Sequence, residues 1–413
     1  MDLLDFGYLS VISLAGAVAR SCLPALPEAW RLRLSAQVPD LPSRQWVWLH
    51  AVSVGEIMLA EGLLDRMVAA GKRVHVTTGT PAGLALLQRQ LGGWNRGTAL
   101  VTGGAFPLDD PEGLRPFLRH PPGAFLALET ELWPGLLQAL EDRQIPRLVV
   151  NGRLTERTLR RGGGLVRRAA SRLSLVAARD EASVEAFRGL GALEVHLGGN
   201  LKADLPAPRP LPAAWAALRS GWARRPILVA GNTVAGEEEL VLAAWRSARA
   251  GSPDLRLILA PRQPRRFDEV ATQLLQAGIP FHRASSSWAG APDWPGTEVM
   301  LLDTLGDLAG AYAEGTLALV GGGWCQEGGH NPLEPVRAGL PTLLGPGFTN
   351  FEDLVPPLVA AGLVQVVPAD AIGSSLVATL LEAPLRPGLP RPLPASLVGA
   401  LDRTWALLSP HLP

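Results

Sequence analysis

Short apolar runs alternate with segments of helical periodicity along most of the chain, and glycine or proline often stands between them. Continuous apolar runs are typical of strands that are buried on both faces of a parallel sheet. In the first half the predicted strands are residues 46–51, 74–78, 124–128, 147–150, 175–178 and 195–197. In the second half they are residues 227–230, 255–260, 299–302, 317–320, 341–344 and 363–367. The pattern therefore predicts an α/β protein with two doubly wound parallel sheets.

A proline-rich stretch separates the two series of strands. Residues 205–212 have proline at half of their positions and cannot hold a helix or a central strand, which predicts an interdomain linker. We place the first domain at residues 45–204 and the second at residues 213–383. Residues 384–413 form a tail that is again rich in proline, and we expect a helix near Leu397–Leu408 to pack against the first domain.

The overall composition indicates neither a polyanionic partner nor a metal. The 413-residue chain has a formal net charge of +0, so we expect no nucleic-acid partner. Cys22 and Cys325 are far apart and have no metal-ligand spacing, which is typical of a reducing cytoplasm. No Asp-x-Asp follows a predicted strand, and Asp109-Asp110 is predicted to cap a helix. We therefore predict no metal and no cofactor.

Positive charge is concentrated in residues 153–172, the basic segment, in which Glu156 is the one acidic residue. Its arginines are Arg153, Arg157, Arg160, Arg161, Arg167, Arg168 and Arg172. Two interpretations stay open: a solvated helix face, or a surface that attracts an anionic membrane or a phosphorylated lipid.

The N-terminal segment, residues 1–22, contains an uncharged apolar run from Leu9 to Ala19. Extended back to Leu3, the run reaches the lower limit for a membrane span, although Asp5 lies inside it. Arginines follow the run and only acids precede it, which by the positive-inside bias predicts that the bulk of the chain is cytoplasmic. We expect membrane association and leave spanning open. The alternative is an amphipathic helix that packs on its own domain.

The stretch from Leu317 to Leu344 holds the strongest candidate for a ligand site. Its buried strand is followed by Gly321-Gly322-Gly323 and Gly328-Gly329, and Asn331-Pro332 then begins a helix. Glycines between a strand and a helix N-terminus form either a tight turn or an anion site made of free N–H groups. The polar set His330, Asn331 and Glu334 on one helical turn favours the ligand site.

Four segments resemble signatures of one family, the bacterial 3-deoxy-D-manno-octulosonic acid (Kdo) transferases. They are GGHNPLEP at residues 328–335, AVSVGE at 51–56, ETELWP at 129–134 and GNLK at 199–202, and they lie in the family's order. The resemblance implies the two-Rossmann glycosyltransferase fold called GT-B, with an interdomain cleft, an N-terminal acceptor domain and a C-terminal CMP-sugar domain. It also implies transfer of Kdo from CMP-Kdo to a lipid A precursor, inverting and metal-independent, and an N-terminal membrane anchor at the cytoplasmic side of the cell inner membrane.

The acidic motifs carry the reaction in this interpretation. Alone, Glu56 is either a first-turn carboxylate that the helix dipole stabilises or a functional residue; the resemblance implies the general base. We expect the helix N-terminus to keep Glu56 ionised at neutral pH. The resemblance places Glu129 and Glu131 on the acceptor side without a choice between them. Trp133 is predicted to pack in the core.

The anionic substrate groups need cationic partners. Kdo carries a carboxylate and CMP a phosphate, for which Lys202 and Arg153 are candidates on the Kdo or acceptor side and Arg262 on the donor side. A surface ion pair is the alternative for each. By resemblance, Asn331 and Glu334 hold the nucleotide, and the backbone of Leu305, Gly306 and Asp307 meets its phosphate at a helix N-terminus.

The chain departs from the family pattern at several positions near the donor motifs. Asn232 and Val234 replace a serine and a histidine, Gln263 replaces a histidine, and Glu327 replaces an arginine. These departures leave the exact substrates and the number of transferred Kdo units open. The alternatives are a related GT-B transferase with another nucleotide sugar or lipid, and an idle paralogue that binds an anionic glycolipid.

Overall fold

The structure is a computed structural model that describes residues 3–95, 100–154, 156–204, 211, 215, 222, 225–287, 297–326, 328–382 and 392–413. The chain forms two compact units. Unit 1 comprises Met1–Pro206 and Val398–Pro413, and unit 2 comprises Ala207–Leu397. Apart from Leu211, the predicted linker lies outside the described residues, as do residues 384–391 of the predicted tail.

Unit 1 is built on a seven-stranded parallel sheet with the strand order β3-β2-β1-β4-β5-β6-β7. The strands are β1 (Trp46–His50), β2 (Arg73–Thr78), β3 (Val101–Ala105), β4 (Ala124–Leu128), β5 (Arg147–Gly152), β6 (Leu175–Ala178) and β7 (Val195–Leu197). All five residues of β1 are buried. Val47 and Leu49 pack in one hydrophobic cluster, and Trp46 and Trp48 pack in the other, so both faces of the sheet are covered.

Eight α-helices of unit 1 lie before Leu190 within the described residues. They are α1 (Leu3–Ser21), α2 (Glu28–Leu34), α3 (Val54–Ala69), α4 (Pro81–Trp94), α5 (Pro111–Arg119), α6 (Pro134–Glu141), α7 (Glu156–Ser171) and α8 (Glu181–Gly189). The predicted caps are confirmed. The Asp110 carboxylate accepts from the Gly113 N–H at the start of α5, and Asp109 accepts from the first N–H groups of α6.

Unit 2 repeats the design with a second seven-stranded parallel sheet, in the order β10-β11-β9-β8-β12-β13-β14. Its strands are β8 (Ile227–Thr233), β9 (Arg256–Pro261), β10 (Phe281–Arg283), β11 (Val299–Leu301), β12 (Leu317–Val320), β13 (Thr342–Leu344) and β14 (Val364–Val366). Its described helices are α9 (Glu237–Arg249), α10 (Phe267–Gln276), α11 (Ala284–Ser287), α12 (Leu308–Ala313), α13 (Leu333–Arg337), α14 (Val355–Ala360) and α15 (Ile372–Glu382). The predicted doubly wound parallel architecture is confirmed in both units.

Two strands, β3 and β10, were not predicted, because neither forms an apolar run. β3 reads VTGGA, and a Cβ at Gly103 would lie 2.6 Å from the Leu87 side chain, so the close packing of α4 requires glycine there. β10 has three residues, two of which are His282 and Arg283. Packing and pairing with neighbouring strands, rather than local hydrophobicity, therefore specify these two strands, each of which lies at one edge of its sheet.

The end of the chain returns to unit 1 as α16 (Ala400–Leu408). Asp204 accepts from the N–H groups of Gly399 and Leu401, at 3.1 and 2.7 Å, at the start of this helix. Leu408 belongs to the hydrophobic cluster that also contains β1 residues. The predicted packing of a C-terminal helix against the first domain is confirmed.

The N-terminal helix α1 packs on unit 1 through polar contacts. Asp5 is 2% exposed and forms an ion pair with Arg172 at 2.6 Å, and Arg172 holds the pKa of Asp5 below its usual range. The Tyr8 hydroxyl donates to Asp109 at 2.8 Å, and Arg20 donates to both oxygens of Asp110. The alternative of a helix packed on its own domain is therefore what the structure contains. Among the described residues, no helix is long and apolar enough to cross a membrane.

Candidate active site

Glu56 lies at the carboxyl end of β1, on the third residue of α3. Its Oε2 accepts from the Val52 N–H at 2.7 Å, and Ser53 Oγ donates to Oε1 at 3.4 Å. The sequence Ser-x-x-Glu thus forms a variant of the capping box, in which the carboxylate turns back onto the chain before the helix. These contacts agree with the structural interpretation of Glu56 as a carboxylate in the first turn of the helix.

The electrostatic surroundings of Glu56 differ from those of an ordinary cap. The pKa of Glu56 is raised to about 7, chiefly by burial and in addition by the neighbouring carboxylates of Glu129 and Glu131, against the lowering effect of the Val52 and Ser53 hydrogen bonds. The expectation that the helix N-terminus keeps Glu56 fully ionised at neutral pH is wrong, because desolvation outweighs the favourable N-terminal interactions. A carboxylate with such a pKa is suited to accept a proton near pH 7.

Glu129 follows β4 in a left-handed backbone conformation, with φ of 56°. This conformation is costly for a residue with a side chain and is maintained only where surrounding contacts support it. The Glu129 carboxylate lies 3.6 Å from Lys202 Nζ, in the short helix Leu201–Asp204. The structure therefore brings together Glu129 and Lys202, which are distant in sequence.

Glu131 lies two residues further along the same segment. Trp133 Nε1 donates to Glu131 Oε2 at 2.8 Å, and His50 Nε2 lies 3.6 Å from the same oxygen. The Trp133 ring packs against Phe106, with centroids 5.1 Å apart, so its predicted core packing is confirmed. It also has a polar role that was not predicted, because its indole N–H orients Glu131.

Asn151 is a positioning residue that the sequence did not reveal. It adopts a left-handed φ of 52° near the end of β5, and its Oδ1 accepts from the Leu201 N–H at 2.9 Å. The hydroxyl of Thr130 donates to the backbone carbonyl of Arg153. These two contacts tie the segments of Lys202, Glu129 and Arg153 to one another; the Arg153 side chain is half-buried.

In unit 2 the predicted donor residues come together at the carboxyl ends of β9 and β12. Burial raises the pKa of Glu334, on α13, and both Arg262 and a hydrogen bond with Asn331 lower it. Arg262 follows β9 and has an exposed side chain. A guanidinium beside a half-buried carboxylate and a carboxamide offers complementary groups to a nucleotide phosphate and sugar.

His330 adds a neutral imidazole to this group. Burial, together with the positive charge of Arg262, lowers the pKa of His330 to about 4. Its Nε2 is buried and makes no hydrogen bond with the described residues. The ring packs over Gly322, where a Cβ would lie 2.6 Å from His330 Cδ2, so this glycine is required by close approach.

The third donor segment lies before α12. Leu305 is 75% exposed, Gly306 has φ of 93°, and Asp307 Oδ2 accepts from the Thr304 hydroxyl at 2.6 Å. Helix α12 packs against α13, which carries Glu334.

The glycine-rich segment after β12 corrects one expectation. The N–H groups of Gly322 and Trp324 are not free to bind an anionic ligand, because they donate to the Glu237 carboxylate at 2.7 and 2.9 Å. Glu237 is fully buried at the first residue of α9 and also accepts from the Val234 N–H at 3.1 Å. Its role as an internal anchor was missed, although the acid pair directly after Gly236 was visible in the sequence.

The family departures fall in ordinary structural settings. Asn232 adopts a left-handed φ of 57°, which asparagine tolerates better than most residues. Val234 is buried, and Gln263 accepts from Arg265 at 2.7 Å. Glu327 lies outside the described residues. Across the described ranges, no group of three or more His, Cys, Asp and Glu side chains is placed to hold a metal ion, and metal independence stays a prediction.

Two parallel doubly wound sheets, with acidic and basic side chains at the carboxyl ends of their strands, are the features of a GT-B glycosyltransferase. Solved structures support this fold. A Listeria monocytogenes protein classed as a UDP-N-acetylglucosamine 2-epimerase is 11% identical with a TM-score of 0.57, covering 89% of this chain and 96% of its own. Anabaena HepE, in complex with UDP, is 14% identical with a TM-score of 0.51, covering 89% and 95%. The expected GT-B fold is confirmed.

Sequence comparison gives the family within this class. The 3-deoxy-D-manno-octulosonic-acid transferase (kdotransferase) family matches residues 28–205. The 3-deoxy-D-manno-octulosonic acid transferase of Bordetella pertussis is 34% identical over 364 residues, 86% of this chain and 83% of the relative. That of Haemophilus influenzae is 33% identical over 385 residues, 90% of this chain and 88% of the relative. The chain belongs to the family of Kdo transferases, which are glycosyltransferases.

Proposed function

We propose that the protein transfers Kdo from CMP-Kdo to a hydroxyl group of a lipid A precursor, with Glu56 as the general base and with inversion at the anomeric carbon. The observation that carries this proposal is the half-buried carboxylate of Glu56 at the carboxyl end of β1, where desolvation and two neighbouring carboxylates raise its pKa to about 7. A base with this pKa is ionised in about half of the molecules at pH 7 and holds an accepted proton well.

The chemical step needs one base and one leaving group. The acceptor oxygen forms a bond to the anomeric carbon while the bond from that carbon to the CMP phosphate oxygen breaks. Glu56 takes the proton of the acceptor hydroxyl, and CMP leaves with the electron pair of the broken bond. A single displacement of this kind inverts the configuration at the carbon.

Charged residues of unit 1 are available for the sugar and the acceptor. Lys202 is held near Glu129 at 3.6 Å and is one-quarter exposed, so it can exchange this partner for the Kdo carboxylate. Arg153 is the second cation of this group in the proposal. Glu129 and Glu131 contribute acceptors for the hydroxyl groups of the incoming glycolipid.

Residues of unit 2 hold the nucleotide in this proposal. Arg262 is exposed and electrostatically coupled to Glu334, so its guanidinium can meet the CMP phosphate while Glu334 and Asn331 bind hydroxyl groups of the ribose. Positive charge on Arg262 then stabilises the leaving phosphate, which supports transfer without a metal.

The membrane surface completes the proposed set of partners. One side of α1 carries apolar side chains that remain largely exposed: Leu4, Phe6, Val11, Leu14 and Val18. Unit 1 also has the exposed side chains of Arg31 and Arg167. Arg172 of the basic segment instead forms a buried ion pair with Asp5. A helix with an exposed apolar face suits attachment in the plane of the cytoplasmic side of the inner membrane.

The release of CMP tests the proposal. The protein is incubated with CMP-Kdo in the presence and in the absence of a lipid A precursor, and CMP and the glycolipid product are quantified. We expect release that depends on the precursor and matches product formation. Binding of the glycolipid without CMP release would contradict the proposal and indicate a binding paralogue, and turnover with another nucleotide sugar in place of CMP-Kdo would contradict the donor.

A further inference from the structure

A buried histidine lies beside the proposed base and has no role in the transfer step as described. His50 is the last residue of β1 and is fully buried, and its ring stacks on Phe106 with centroids 3.8 Å apart. Glu131 Oε2 lies 3.6 Å from its Nε2. The inference below rests on the proposed function of Glu56 as the base.

Hydrogen bonding fixes one proton of the His50 ring. Nδ1 lies 3.0 Å from the backbone carbonyl oxygen of Thr77, and a carbonyl oxygen can only accept, so Nδ1 carries a hydrogen. The Thr77 hydroxyl, 3.1 Å from the same Nδ1, accepts from Trp48 Nε1 at 2.8 Å. In a neutral imidazole with this tautomer, Nε2 has a lone pair and no hydrogen.

The lone pair of Nε2 then faces a carboxylate. Nε2 is buried and makes no hydrogen bond within the described residues, and Glu131 Oε2 is its ion-pair neighbour. The His50 side chain is fully buried and the Glu131 side chain is 22% exposed. Two acceptors that face each other repel, whereas one additional proton between them produces attraction. Trp133 Nε1 donates to the same Glu131 oxygen. The carboxylate could rotate away from His50 only by losing this hydrogen bond.

We propose that His50 is a positioning residue: it shares one proton with Glu131, and the neutral pair that results sets how readily Glu56 accepts a proton. Each of the two carboxylates beside Glu56 then has a compensating positive charge, which limits how far its negative charge raises the pKa of Glu56. Lys202 compensates Glu129 at 3.6 Å, and the shared proton of His50 compensates Glu131.

Other charges near the pair come from several elements and belong to the same balance. The titratable and charged groups around it are Glu56 of α3, Glu129 after β4, Arg33 of α2, and Asp109 and Tyr8, which interact with Arg33. None of them occupies the position between Nε2 and Oε2 in the described part of the chain. The proposal therefore predicts a specific coupling of His50 to Glu131.

The test measures the pH midpoint of kcat/KM in a double-mutant cycle. Glutamine at position 50 can donate to the Thr77 carbonyl but cannot carry the additional proton. His50→Gln leaves Glu131 as an anion that only the Arg33 guanidinium partly offsets, so the midpoint should rise by about one pH unit. Glu131→Gln removes the anion together with the need for the shared proton, so its midpoint should stay close to that of the wild type. Adding His50→Gln to Glu131→Gln should cause no further shift.

Two outcomes would overturn the proposal: an unchanged midpoint in His50→Gln, or a shift of equal size in both backgrounds. Infrared titration of the Glu56 carboxylate, assigned by difference from Glu56→Gln, follows the same protonation without turnover. If the infrared midpoint of Glu56 moves in His50→Gln, the proposed pair is supported. If Glu56→Gln nevertheless retains transfer, the proposed base is contradicted. The two failures are therefore distinguishable.

A second measurement does not require the His50 variant to fold. In 15N-histidine-labelled wild-type protein, one imidazole should carry a hydrogen at Nδ1 and a hydrogen-bonded or protonated Nε2. In Glu131→Gln the Nε2 resonance of that ring should move to the chemical shift of an unprotonated imidazole nitrogen without a hydrogen bond. Identical histidine spectra of the two proteins would refute the shared proton.

Discussion

Glu56 and Glu237 occupy corresponding places in the two units, but their surroundings differ. Each is a glutamate in the first turn of the helix that follows the first strand of its unit, but Glu237 is fully buried and Glu56 is half-buried. Glu237 accepts from three backbone N–H groups within 3.1 Å. Glu56 has one short backbone hydrogen bond, at 2.7 Å, and two carboxylates as neighbours.

The number of hydrogen-bond donors around each carboxylate explains how one residue type can have two functions. A buried carboxylate whose oxygens are supplied with donors acts as a structural anchor. One that burial desolvates without a full set of donors has its proton affinity raised, which is what a base requires near neutral pH. On these contacts Glu56 is the chemical residue and Glu237 the structural one.

The largest effect is expected from Glu56→Gln. Glutamine preserves the size of the side chain and can accept from the Val52 N–H, but it cannot take the proton of the acceptor. Transfer should fall by about 10²–10⁴-fold, the usual cost of removing a general base. Single-turnover product formation measures the loss, and the thermal shift produced by CMP should remain. Near-normal turnover would assign the base to Glu129 or Glu131.

Glu237→Gln should act on stability instead. The amide cannot accept from all the N–H groups that now meet the carboxylate, and buried donors without partners are costly. We expect the free energy of unfolding to fall by about 2–4 kcal/mol, measured by denaturant titration. Glu239→Gln, an exposed acid in the same first turn, is the matched control. Equal stability of the two variants would show that Glu237 is no anchor.

Glu334→Ala should weaken nucleotide binding. Loss of hydrogen bonds to a charged group costs about 1.5–3 kcal/mol, which corresponds to a rise of about 10–100-fold in the Kd for CMP. Calorimetric titration with CMP measures the change, and Glu352→Ala, at an exposed acid of unit 2, serves as the control. An unchanged Kd would remove Glu334 from the donor site.

The smallest effect is expected from the exposed face of α1. Val11 and Leu14 are 70% and 69% exposed, so Val11→Ser with Leu14→Ser should leave the fold intact. Binding to vesicles with anionic lipid should fall by about tenfold, since partial burial of each side chain at the interface contributes about 0.7 kcal/mol, roughly half the value for full burial. Undiminished binding would place the membrane contact elsewhere. Deletion of α1 is a poor substitute, because it removes partners of Asp109 and Arg172.

The sequence predicted the elements that local hydrophobicity determines. β1 and β12 are buried apolar runs and were placed within one residue, whereas β3 contains glycines that only the packing of Leu87 explains. The motif at residues 51–56 located Glu56, but its pKa depends on Glu129 and Glu131, which the sheet brings from β4. The anchor role of Glu237 was equally inaccessible, since its partners follow β12, far along the chain.

The central claim is that burial converts the capping residue Glu56 into a base, and the pH dependence of wild-type transfer tests it most directly. The base must be deprotonated to act, so kcat/KM should rise with pH to a plateau, with a midpoint near the pKa of about 7. The rate is measured with saturating CMP-Kdo and a soluble acceptor analogue between about pH 5 and 9. A midpoint near the ordinary glutamate value of about 4.3, or no inflection in this range, would contradict the account.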